Sequence, residues 1–203
     1  MNPTLEDIQS WPDDNPVKQA LIAAGIFSDY DLFCERLETA VLSAIDHLEK
    51  LKSLYVKLGE DPITLMIVFA LSKDGFEVSH DAYRNGHCDI VVRKGIYEWY
   101  GEAKLDDGPG YVMKGFRQLC DRYSPGGSTT NRGGLIVYTK KRNKLKVLNV
   151  WLQRILKDYE RPVTLFPVCQ NTLTGKTQHV HQATGLDFKV RHFPVSMFHQ
   201  PTD

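Results

Sequence analysis

The chain has 203 residues, 42% of them hydrophobic and 25% charged, enough apolar material for one ordinary domain with at most a small appendage. It contains no apolar run of the roughly 18 residues a membrane helix needs. Its start, MNPTLEDIQSW, lacks the basic and apolar regions of a signal peptide, and its four cysteines form no CxxC pair, so a cytoplasmic protein with free thiols is expected and a disulfide frame or zinc site is not.

Formal net charge is zero but unevenly spread: residues 1–62 hold 12 acids and 5 bases, and residues 63–203 hold 13 acids and 20 bases. The C-terminal two-thirds can therefore face a polyanion, while the overall neutrality predicts weak non-specific binding to nucleic acid.

Taken in chain order, NPVKQALIAAG reads as a short helix with Asn15 as N-cap, Pro16 at its first position and Gly25 at its stop. A long helix is expected from about residue 29 to 58, with Phe33, Leu37, Val41, Ala44, Leu48, Leu51, Tyr55 and Leu58 forming one stripe. Such a stripe suits either a coiled-coil dimer seam or, more commonly, a helix laid on its own domain. EDPITLMIVFALSKDG predicts a third helix, capped by Asp61, with Pro62 first and Gly75 closing it. Apolar on nearly all sides, it is expected to be buried.

The period then changes to two, and residues 76–83, 87–92 and 97–105 read as strands, the last two a hairpin about RKG (93–95). A helix at about 111–123, the compact strand GGLIVYT (133–139) and a helix at about 143–158 follow. In the tail, three further strands are expected, with Thr-Gly turns at 174–175 and 184–185. Together these predict an α/β protein: an N-terminal helical segment (1–58), a mixed sheet flanked by helices (59–160) and antiparallel C-terminal strands extending the same domain (161–203).

The residues that do not suit a buried sheet are Asp89, Glu102 and Lys104. Alternation puts Glu102 and Lys104 on one face of their strand, and the hairpin brings Asp89 to about the level of Glu102. Two clustered carboxylates repel. A divalent cation offsets that repulsion, and hard oxygen ligands suit Mg²⁺, with the main-chain carbonyl of Ala103 a further candidate ligand. Lys104 would then stabilise hydroxide and the charge developing on a phosphodiester.

Asp89, twelve residues, then Glu102-Ala103-Lys104 in a hairpin after a helix resembles the PD-(D/E)XK nuclease superfamily, over about residues 60–139. The resemblance implies a restriction-endonuclease-like fold and a Mg²⁺-dependent endonuclease, with Mn²⁺ as a substitute and DNA favoured over RNA, of a kind often found in bacterial or phage defence. It also implies an acid near the start of the core helix, where Glu60 stands; Asp61 is the rival for that place, though it better suits the cap. A glutamine on the following helix matches Gln118. The tyrosine expected four residues later is displaced to Tyr123, and Arg122 takes the fourth position as a substitute phosphate contact. Cys88 stands where the family pattern has proline.

A homodimer is compatible with this reading, since cutting both strands takes two sites, and so is a regulatory partner protein. The rival readings are a catalytically inactive interaction module that assembles through the 33–58 stripe, and an RNA-directed nuclease. Three features stay open between function and packing. The basic run KKRNKLK (140–146) is either a solvated helix start or a phosphate contact. His87 and GPGY (108–111) lie beside the site, as a phosphate contact or a strand start, and as a mobile loop or an ordinary turn. His179, His181 and His192 in the tail are more often packing residues or phosphate contacts than metal ligands.

Overall fold

A computed structural model describes residues 3–12, 14–23, 29–83 and 86–200. Its elements are α1 (Leu5–Ser10), α2 (Pro16–Ala23), α3 (Tyr30–Lys50), α4 (Lys52–Tyr55), α5 (Glu60–Lys73), β1 (Glu77–Tyr83), β2 (His87–Lys94), β3 (Tyr97–Leu105), α6 (Pro109–Arg117), β4 (Arg132–Thr139), α7 (Lys144–Asp158), β5 (Val163–Cys169), β6 (Thr174–Val180) and β7 (Asp187–Ser196). After α6 the chain continues in wider π-helical winding over Gln118–Tyr123.

The strands form one seven-stranded mixed sheet in the order β1-β2-β3-β4-β7-β6-β5. β4, the compact apolar strand, is central and runs parallel to both its neighbours. The tail is therefore more than an antiparallel extension: β7 inserts beside β4, in parallel, and carries β6 and β5 on its outer side.

Alternation divides the core in two. Ile90, Val92, Trp99, Ala103, Ile136 and Tyr138 face α3 and α5, while Val91, Tyr100, Leu135 and Val137 face α6 and α7. The α3 stripe is used within the chain, with Phe33, Leu37, Val41, Ala44 and Leu48 all buried. At 20–30 cal/mol per Å² of apolar area, Phe33, Leu37, Val41 and Leu48 each contribute about 1.5–3 kcal/mol, and Ala44 less.

Several local expectations are corrected. The long helix breaks at Leu51, which is 48% exposed, although no glycine or proline marks the spot. The turn lets Tyr55 and Leu58 pack back onto the same cluster. Asp61 is not a cap: Gly59 holds that position, and Asp61 lies exposed in the first turn of α5. Nor is α5 buried all round. Ile63, Thr64, Ile67 and Leu71 face inward, while Leu65, Met66 and Phe69 remain exposed because no described element covers the outer side.

The hairpin turn is Gly95-Ile96, flanked by the pair Lys94 and Tyr97, with Gly95 at φ 59°; Arg93 and Lys94 belong to β2. Thr174 and Gly175 lie inside β6, and the turn before it uses Leu173 at φ 50°. Gly185, at φ 72°, does turn as expected. Asn15 caps α2 by accepting from the Val17 and Lys18 amides; the stop expected at Gly25 lies outside the described residues.

The tail histidines are packing residues here. Trp151 Nε1 donates to His192 Nδ1, so Nε2 carries the proton and donates to Thr177 Oγ1 at 2.8 Å. His179 packs against Phe116, Tyr159 and Phe188, with neither ring nitrogen bonded. Burial pushes His192 down to about 3 and His179 down to about 4.

Both histidines are neutral in the fold and in the unfolded chain above pH 6.5. As pH falls from 6.5 toward 3, the unfolded chain takes up protons first, and stability falls by up to about 1.4 kcal/mol per pH unit for each histidine. Urea midpoints measured from pH 7.5 to 4 are expected to drop, and less steeply in His192→Gln, which can still accept from Trp151 and donate to Thr177. Equal slopes in the two proteins would show that His192 does not drive the loss.

Candidate active site

β2 and β3 are in antiparallel register, with Ile90 opposite Gly101 and Val91 opposite Tyr100. One step further, Asp89 stands against Glu102. Glu102 and Lys104 project to the α6 side of β3, and Ala103 to the α5 side, as alternation requires. α5 reaches the same point from its N-terminus, because Gly59 starts the helix level with the end of β3. The site thus joins a hairpin and the first residue of a helix.

The centre is the Lys104 ammonium. It lies 2.7 Å from Glu102 Oε1, 3.2 Å from Glu60 Oε1, 3.7 Å from Asp89 Oδ2 and 2.8 Å from the Ala103 carbonyl. Two of the carboxylates are fixed by backbone: Asp89 Oδ2 accepts from the Ala103 amide at 2.8 Å, and Glu60 Oε2 accepts from the Leu105 amide at 2.6 Å. The acids and the lysine are buried to different depths. The Glu102 side chain is 1% exposed, Lys104 8% and Asp89 21%.

Burial, then the neighbouring Asp89 charge, pushes the Glu102 carboxyl up to about 8, with Lys104 offsetting only part of the effect. Burial works against the Lys104 charge, but Glu102, Asp89 and Glu60 outweigh it, so the ammonium is held above its ordinary range.

Four expected residues, Asp89, Glu102, Lys104 and Glu60, are therefore brought together. Gln118 joins from the helical side: its Nε2 donates to Tyr123 Oη at 2.8 Å. The wider π-helical winding over Gln118–Tyr123 puts residues five apart on one face, so Tyr123 shares the face of Gln118 despite its displaced spacing. Arg122 is exposed and lies against the Tyr123 ring. Burial, then the Glu102 charge, raises the Tyr123 hydroxyl to about 12, keeping it a neutral donor.

Tyr111, which the sequence reading missed, closes the site on the solvent side. Its hydroxyl lies 3.5 Å from Glu60 Oε1 and its ring 5.7 Å from the Lys104 ammonium. Its only signal was its place at the end of GPGY, which is the turn into α6, with Gly108 as N-cap at φ 105°. His87 is exposed and bonded to Asp81, a residue at φ 50° lying one strand out from Asp89.

Gly115 explains how α6 can lie on this site. A Cβ there would stand 2.6 Å from Lys104 Cγ and 3.3 Å from Glu102 Cγ. Gly115→Ala gains about 1 kcal/mol of helix propensity but must displace the Lys104 stem, for a net expected loss of about 1–3 kcal/mol in urea unfolding. A stabilised variant would mean that the stem moves freely.

Among the described residues, no three His, Cys, Asp or Glu side chains are gathered as a metal cage. The donor set that fits a hard divalent ion is mixed: Asp89, Glu102 and the Ala103 carbonyl. Glu102 Oε2 is buried without a partner, which leaves one ligand atom ready. The Lys104 ammonium lies within 4 Å of all three groups, supplying the positive charge the cluster requires.

Comparison with protein-family models, curated proteins and solved structures finds no match to the chain.

Proposed function

We propose that this protein is a metal-dependent nuclease with a restriction-endonuclease-like core, hydrolysing phosphodiester bonds of DNA in preference to RNA. The observation that carries the reading is the buried Lys104 ammonium ringed by Glu60, Asp89 and Glu102. A surface ion pair would not need three acids, and a structural core would not bury an unpartnered carboxylate oxygen.

Asp89, Glu102 and the Ala103 carbonyl would hold Mg²⁺ or Mn²⁺, which supplies Lewis-acid charge to the phosphodiester and the attacking water. Lys104, held as a cation, donates to that water and stabilises charge building on the phosphate oxygens. Glu60 keeps the ammonium in place through its own bond to the Leu105 amide. Gln118 and Tyr123 offer neutral donors for a non-bridging oxygen.

The test is incubation with circular double-stranded DNA, linear single-stranded DNA and RNA, each with Mg²⁺, Mn²⁺ or EDTA. DNA cleavage that EDTA abolishes is expected. A second reading, a non-catalytic interaction module, is favoured by the exposed Leu65, Met66 and Phe69 of α5. A folded protein that cuts none of the three substrates, with either metal, would support it over the nuclease.

A further inference from the structure

A cavity of ≈ 480 Å³ opens between α6, α7 and the turn after β4. Its floor is apolar, built by Val112, Val137 and Trp151, all nearly buried, with Val147 and the exposed Val150 on the α7 wall. Its rim carries four cations, Lys141, Arg142, Lys146 and Arg154, against one lining acid, Asp106. KKRNKLK supplies three of the four.

The rim charge is only half neutralised from within. Lys141 pairs with Asp106 at 2.9 Å, and Arg154 pairs with Asp158. Arg142 donates to the neutral Gln200 amide at 2.6 Å and lies over Phe198. Neither Arg142 nor Lys146 has an acidic partner among the described residues. Two uncompensated cations over an apolar hollow suit a ligand with an apolar ring and a phosphate on either side.

The cavity also lies beside the candidate active site. Val137 is the direct neighbour of Lys104 across the parallel pair β3 and β4, so the floor begins about 4.8 Å, one strand, from the catalytic row. Asp106 lies two residues beyond Lys104 and is tied to Thr139 at 2.8 Å.

We infer that this cavity takes one unpaired nucleotide of the substrate strand, next to the scissile phosphate. The base enters over Trp151 and the valines, and the flanking phosphates meet Arg142 and Lys146. A base stacked in a duplex has both faces covered and cannot enter such a hollow, so the substrate is single-stranded, or frayed where it is cut. The inference rests on the nuclease reading and adds the strand state that the reading leaves open.

The test is fluorescence anisotropy in EDTA, where no cleavage is needed. The probes are a labelled 12-nucleotide thymidine strand, a duplex of the same length, an equally charged abasic strand and thymidine monophosphate as competitor. Wild type runs beside Arg142→Ala/Lys146→Ala and Val150→Asp, whose exposed positions leave the core intact, with folding checked by circular dichroism.

The thymidine strand is expected to bind about tenfold tighter than the abasic strand, and each variant to lose about tenfold. The duplex should bind more weakly than the thymidine strand, and the monophosphate should compete poorly. Equal binding of thymidine and abasic strands would overturn the inference, leaving only backbone charge. So would wild-type affinity in both variants, tighter binding of the duplex, or a monophosphate that competes as well as the strand. Strand binding that depends on the cavity, without cleavage in Mg²⁺, would overturn the nuclease reading alone. Cleavage with no dependence on the cavity would overturn this inference alone.

Discussion

Lys104→Ala is expected to lower the rate of DNA cleavage by about 10²–10⁴-fold, the usual value of a positioned proton donor or oxyanion-stabilising group. Nothing else described near the site can replace it. Among the described residues, its ammonium is the single cation within 4 Å of Glu60, Asp89 and Glu102, and the Tyr111 ring closes over it. The fold should survive the change, because Glu102, already pushed up to about 8 by burial, can neutralise itself by taking a proton when the lysine is gone.

Asp89→Asn provides a sharper partner experiment. Its amide oxygen can still accept from the Ala103 amide, as Asp89 does at 2.8 Å, while the charge is lost. A drop comparable to that of Lys104→Ala would then report chemistry and not misfolding. Single-turnover cleavage with excess protein is the measurement. A folded Lys104→Ala that cuts within threefold of wild type would remove Lys104 from the mechanism.

Trp99→Ala is expected to cost about 3–5 kcal/mol of stability, the usual range for a fully buried large aromatic. Trp99 is 0% exposed and lies in a slot made by two glycines on β3 and β4. A Cβ on Gly134 would stand 2.4 Å from its ring and one on Gly101 2.7 Å. The part of the slot formed by Gly101 and Gly134 is backbone, which has no side chain to fill the space. The cavity left by alanine would sit directly behind the strand that carries Glu102 and Lys104, so cleavage should fall as well.

Trp99→Phe fills most of the slot and removes an indole N–H that has no partner. It is expected to lose far less, because the missing hydrogen bond was itself a cost. Urea unfolding followed by far-ultraviolet circular dichroism measures both variants. Equal losses would mean that the indole nitrogen finds a partner, such as an ordered water.

Much of this protein is legible from local pattern. The α3 stripe, the three strands of the hairpin region, the compact β4 and the cap at Asn15 follow from periodicity and turn chemistry, which are properties of neighbouring residues. So does the pairing of Glu102 with Lys104, since alternation along one strand fixes a shared face. The placement of Asp89 needed only one hairpin turn, and a turn one residue away from the expected one still brought it against Glu102.

The remainder depended on contacts distant in sequence. That α5 is exposed on one side, that the helix breaks at Leu51, and that β7 lies parallel to β4 are decided by which surfaces are left uncovered once the sheet is assembled. Tyr123 could not be placed from a count of residues, because its position depends on a switch from α to π winding. Gly115 was legible only as a helical glycine; its reason is the Lys104 stem on another element. Glu60 was a candidate by its place in the chain, but its role rests on a bond to the Leu105 amide 45 residues away. Local residue types determined which side chains could do chemistry. Long-range packing alone decided which of them share one buried site of three acids around a single ammonium, because burial and the electrostatics that follow from it belong to the assembled fold.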